Sequence, residues 1–169
     1  MDKESLLKLF NDHYQANDQL WRAVTALSDA QFAQPQNDGG PSLHTQIVRM
    51  VVNENLWVNY LWHGEVEFLQ NSQLPTRAAI REEWDALEEE IHDFITELSP
   101  TELENRVEPV FLDLGASFEL RDILLSVIQT AATSRAQIYL HLSRLGFPAL
   151  IQDPFSFPVE QVVHGVAAR

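Results

Sequence analysis

Apolar residues recur every three or four positions in four stretches of the chain, and each stretch predicts a helix with one buried face. The first spans residues 3–27, with Leu6, Leu7, Phe10, Tyr14, Leu20, Trp21, Val24 and Leu27 as its stripe. Pro35, Asn37, Asp38, Gly39, Gly40 and Pro41 then make the segment from Ser28 to Ser42 read as a loop. Ser42 can cap a second helix over residues 42–63. Its stripe is Ile47, Val48, Val51, Val52, Leu56, Trp57, Tyr60 and Leu61, and Gly64 is its stop. The third helix, residues 76–98, follows Pro75 and takes Thr76 as its cap. Ile80, Trp84, Leu87, Ile91, Phe94 and Leu98 alternate steps of four and three, a seam suited to bundle packing. Arg81, Glu82, Glu83, Asp85, Glu88, Glu89, Glu90 and Asp93 fill its other faces and read as a solvated surface.

Residues 107–118 alternate weakly around Gly115 and read as an extended link with room for two short strands. The fourth helix covers residues 119–145 and stops at Gly146. Leu120, Ile123, Leu124, Val127, Ile128, Ala131, Ile138, Leu142 and Leu145 form its stripe. Residues 147–169 read as an irregular tail with Pro148, Pro154 and Pro158, where Phe155, Phe157 and Val159 point to packing against the rest. No repeat interrupts this plan. It predicts one all-α domain over residues 1–169: a four-helix bundle with a longer irregular link between the third and fourth helices.

Charge and composition narrow the function classes. Lys and Arg number 11 against 25 Asp and Glu, a net charge of −14. A surface this acidic repels nucleic acid and anionic membranes, so neither is expected as a partner. The absence of cysteine excludes disulfides, thiolate metal sites and a cysteine nucleophile. Met1-Asp2-Lys3-Glu4 does not resemble a signal peptide, and no stretch reaches the roughly 20 apolar residues of a membrane span. A cytoplasmic protein is the expectation.

Candidate chemistry is sparse. Neither a glycine-rich phosphate cradle nor a Gly-x-Ser-x-Gly elbow occurs. The six histidines are His13, His44, His63, His92, His141 and His164, and no two share a helix face at i, i+3 or i, i+4. His13, beside Phe10 and Tyr14, reads as a hydrogen-bonded histidine at the edge of the core. His44 and His63 fall near the two ends of the second helix. Thr130, Ser134, Gln137 and His141 form a polar row on the fourth helix, and Arg49 and Asn53 a polar pair on the second. Either these rows are solvated, or Arg49 pairs with a carboxylate on a neighbouring helix, or the rows line a site.

Three stretches carry a resemblance. Ser42-Leu43-His44 is followed by Glu54-Asn55-Leu56-Trp57; Leu120-Arg121-Asp122-Ile123-Leu124-Leu125 opens the fourth helix; Arg135-Ala136-Gln137-Ile138-Tyr139 leads to Arg144-Leu145-Gly146. With Tyr14-x-x-Asn17 and Ala26-Leu27-Ser28, they cover nearly the whole chain in order. Together they resemble the DinB-like, or YfiT-like, family of four-helix bundles. That resemblance implies three metal-binding histidines: one five residues before the Glu-x-x-Trp glutamate, and two as His-x-x-x-His ahead of the Arg-Gly-Gln run. The matching positions hold Arg49, Thr130 and Ser134, and Thr133 stands where a further histidine is common. A guanidinium has no lone pair for a cation, and neutral hydroxyls are weak ligands, so the resemblance leads to a family site without its metal.

The expectation is therefore a metal-free member that acts as a small-molecule-binding or interaction protein, with no cofactor and no catalytic residue. Arg49, Asn53, Thr130, Ser134 and Gln137 would offer donors to a small anionic ligand. One alternative is a metal-dependent enzyme of the family's thiol-dependent transferase or hydrolase type, with a displaced trio of His13, His44 and His141. Another is a purely structural dimer. The resemblance implies a homodimer. Trp21, Trp57, Trp62 and Trp84 add a hint of it, as more aromatic surface than a thin bundle readily covers.

Overall fold

A computed structural model describes residues 1–66 and 68–147. The expected tail with Phe155, Phe157, Val159 and His164 lies outside the described residues. Five α-helices carry the fold: α1 (Lys3–Thr25), α2 (Asp29–Ala33), α3 (Leu43–Val58), α4 (Arg77–Glu97) and α5 (Leu120–Arg144). Two short antiparallel strands, β1 (Arg106–Val107) and β2 (Phe118–Glu119), pair Arg106 with Glu119 and Val107 with Phe118. The four long helices form the predicted bundle.

Local chemistry sets the helix ends. The Asp2 side chain accepts from the Ser5 backbone N–H at 2.9 Å. Ser42 and Thr76 cap α3 and α4 as expected, accepting from Thr45 and Ala79 at 3.1 and 3.2 Å. Gly146, at φ 85°, ends α5 in the left-handed conformation that glycine adopts without steric cost. The second predicted helix does not stay α-helical to its end. Its last turn, Asn59–His63, is a π turn closed by Gly64.

The segment after Ser28 is not wholly loop. Ser28 and Gln31 form a capping box that starts α2, and Phe32 is buried beneath it. On α4 the buried seam steps from Ile91 to Ile95, not to Phe94, which is half-buried and packs beside Trp62 with ring centroids 5.9 Å apart. The charged face of α4 is only partly solvated. Glu82, Asp85, Glu89 and Asp93 are exposed, but Arg81, Glu83, Glu88 and Glu90 are half-buried.

α1 packs on α4 and α5, and α3 packs on the same two helices. The ring order is thus α1–α4–α3–α5, with α1 diagonal to α3 and α4 diagonal to α5. Both diagonal steps need long connectors, which explains α2 between α1 and α3 and the hairpin between α4 and α5. Leu6, Leu20, Val24, Leu43, Ile47, Ile80, Ile95, Leu124, Ile138 and Leu142 are among the buried core residues. One chain covers the tryptophans better than expected: Trp84 is buried and Trp21, Trp57 and Trp62 are half-buried. The exposed apolar residues lie elsewhere, including Val110, Leu112 and Leu114 near the hairpin and Leu140 on α5. No helix among the described residues is long and apolar enough to cross a membrane.

Candidate functional site

Three apolar stripes are interrupted, and the interruptions meet. On α5, Arg135 occupies the interior position between Ala131 and Ile138. Glu54 does the same on α3 between Val51 and Val58, and His13 and Asn17 on α1 between Phe10 and Leu20. All four side chains are buried. Arg135 donates to His13 Nδ1 at 2.8 Å and to Asn17 Oδ1 at 2.6 Å. His13 Nε2 lies 3.1 Å from Glu54 Oε1.

The donors fix the tautomer. Arginine has no acceptor, so Nδ1 must carry the lone pair, and the proton sits on Nε2 and is donated to Glu54. The Asn17 amide nitrogen, 3.2 Å from Nε2, then faces another donor and adds no bond there. Burial pulls the Arg135 pKa below the usual arginine value, while the Glu54 carboxylate works in the opposite direction. Glu54 Oε2 has no partner among the described residues. Both nitrogens of His13 are committed, which leaves neither to a metal. The network joins diagonal helices α1 and α3 through the middle of the bundle.

A second polar grouping lies on the outer side of the α3–α5 seam. Gln46, Arg49, Ser134, Gln137 and Arg144 line a cavity of about 250 Å³. Arg49 is exposed, and no ion pair engages it among the described residues. Ser134 is half-buried and donates to the Thr130 carbonyl at 3.0 Å. Three of the five expected residues therefore share this cavity. Asn53 and Thr130 stand one helical turn away and do not line it. Gln46 and Arg144 escaped the sequence reading. Their signal was positional: Gln46 is three residues before Arg49, and Arg144 is seven after Gln137.

Arg144 lines this cavity and its neighbour. It donates to Gln36 Oε1 at 2.8 Å and stands 3.5 Å from Asp38. Beyond it, Asp38, His141 and Arg144 help line a neighbouring cavity of similar size, about 250 Å³. Gln46 Nε2 is 3.2 Å from His141 Nδ1 and 3.0 Å from the Pro41 carbonyl. Burial lowers the His141 pKa, the Arg144 charge lowers it further, and Asp38 opposes both.

The trio His13, His44 and His141 is not assembled. His44 bonds through Nε2 to the Leu74 carbonyl at 2.8 Å and sits edge-on to Phe32. His13 belongs to the central network and His141 to the Gln46 contact. Among the described residues, no group of three or more histidine or acidic side chains is placed to hold a metal ion.

Comparison with known proteins agrees with this architecture. A DinB-like protein, YjoA, from Bacillus subtilis superimposes with a TM-score of 0.63 over 84% of this chain and 92% of its own, at 12% identity. That identity supports a common fold and nothing finer. No curated protein matches the sequence. The model of the DinB family matches residues 1–160, and the chain belongs to that family.

Proposed function

We propose that this DinB-family protein holds no metal at the family's ligand positions and binds a small anion in the cavity between α3 and α5. One observation carries the reading: the Arg49 guanidinium, exposed and without an ion pair among the described residues, shares a cavity with Ser134 and Gln137. A guanidinium offers a planar fork that fits a carboxylate through two parallel hydrogen bonds. The Gln137 amide adds donors, and Arg144 adds a second positive charge at the rim. The net charge of −14 repels anions at a distance. At physiological salt that repulsion is screened beyond about 8 Å, so contact geometry decides the binding.

Two measurements test the proposal. Untagged protein, dialysed against zinc, nickel and iron(II), should hold far less than one metal per chain by elemental analysis; one per chain would overturn it. Calorimetric titration with malate and citrate should give saturable binding that Arg49→Met removes. A homodimer belongs to the same proposal and draws support from the exposed Val110, Leu112 and Leu114. Sedimentation through a dilution series checks it, and a monomer at every concentration would sink it.

A further inference from the structure

A groove of about 320 Å³ runs between α1 and α4, away from the α3–α5 cavity. Its apolar wall includes Phe10 and Ile91, and its rim carries Glu88, Glu89 and Asp93. Acidic side chains on a helix are ordinarily no more than a solvated face. Here the groove also contains Tyr14, a residue only 5% exposed whose hydroxyl makes no hydrogen bond among the described residues. Unlike Glu54 Oε2 and Trp84 Nε1, which are sealed from solvent, this hydroxyl keeps access to the groove that Tyr14 lines and is open to a ligand atom there. The Tyr14 ring rests edge-on against His13, with centroids 4.8 Å apart, so the central network holds it from behind. Glu88, half-buried, stands near enough for its charge to raise the Tyr14 pKa, after burial and Glu54. Tyr14 and Glu88 line the same groove from its two helices.

We propose that the α1–α4 groove binds a small organic ammonium ion, its charged head on Glu88 and the Tyr14 hydroxyl and its apolar arm along Phe10 and Ile91. The phenolic oxygen accepts one ammonium hydrogen and the Glu88 carboxylate a second. Phe10 lines the groove, and an aromatic wall suits the apolar arm. Glu89 and Asp93 add rim charge, and the overall −14 draws cations toward the protein. A carboxylate ligand would meet three acidic side chains here and is rejected. The groove is thus the electrostatic opposite of the Arg49 cavity and independent of it.

The test uses n-hexylammonium chloride as probe, with 1-hexanol and hexanoate as neutral and anionic counterparts. Binding is followed by NMR chemical shifts on the whole chain. Hexylammonium should saturate, with shifts confined to α1 and α4, and 1-hexanol should bind at least roughly tenfold more weakly. Glu88→Gln and Tyr14→Phe should each weaken hexylammonium binding by roughly three- to tenfold. Tyr14→Phe removes only an unbonded hydroxyl, so this variant remains folded, and circular dichroism verifies it. Equal affinity for 1-hexanol would overturn the proposal, as would shifts spread over the whole acidic surface. Unchanged affinity in both variants would do the same.

Discussion

The polar residues of α3 and α5 meet two opposite fates. Glu54 and Arg135 turn inward and join His13 and Asn17, and the side-chain hydrogen bonds they make among the described residues stay within that group. Arg49, Ser134 and Gln137 lie on the same two helices but line an open cavity. The first group is charge sealed in a low-dielectric interior, where each partner is indispensable to the others. The second is charge at a water-filled edge, where side chains remain free for a ligand. Family-like sequence motifs fall on the sealed group, through Glu54 and Arg135. The positions where the resemblance implies histidines, Arg49, Thr130 and Ser134, fall on or beside the open one. Residues sealed in the core and residues proposed to meet a ligand are here separated by a single helix turn or two.

The sharpest way to break this contrast is Arg135→Met. It strands the Glu54 carboxylate in the core and should cost about 3–5 kcal/mol in a urea unfolding curve. Adding Glu54→Gln removes the stranded charge and should recover part of that loss. A cost below about 1 kcal/mol for Arg135→Met would show the network to be dispensable. Next in size, Ser28→Ala removes the cap of α2 and should cost about 1 kcal/mol. It calibrates an exposed local bond against the buried network in the same assay.

A smaller effect comes from His141, which lies between the two regions in character: buried, yet bordering a cavity. Its pKa is lowered chiefly by burial, so the unfolded chain takes up this proton at a higher pH than the folded one. The His141 contribution is therefore complete above the usual histidine value of about 6.5 and is lost progressively as pH falls below it. Melting temperatures measured down through that window should drop, and His141→Gln should flatten the slope. The smallest effect on stability belongs to Arg49→Met. It should lie within about 0.5 kcal/mol of the parent chain while citrate binding disappears. A large stability loss there would merge the two regions and end the comparison.

The four long helices were legible because their periodicity and caps agreed. Ser42, Thr76 and Gly146 each do what local chemistry demands of them. α2 was missed although its Ser28-x-x-Gln31 signature was present, since nearby prolines and glycines dominated the reading. The central network was half-legible. His13 was recognised as a core histidine, but nothing local tells which interruption of one stripe meets which interruption of another. That pairing depends on the ring order of the helices, and a stripe reports only its own face. The sequence left Arg49 open between a solvated row and a site for a related reason: a polar residue beside a wide stripe can turn either way, and the neighbouring helix decides which. Residues such as Glu88 looked solvated because charge runs usually are, and only the approach of α1 makes a groove of that face.

The bond between His13 and Arg135 joins positions 122 residues apart. During synthesis, at roughly 5–20 residues per second, the first helix leaves the ribosome on the order of ten seconds before its partner exists. Until then His13 and Asn17 have no guanidinium, and the apolar face around Phe10 and Leu20 has no α5 to cover it. The bundle cannot be completed piecemeal from its N-terminus; its last long helix locks its first. A nascent chain stalled before Arg135 lacks that contact, and the moment of closure is written into the distance along the chain between two side chains.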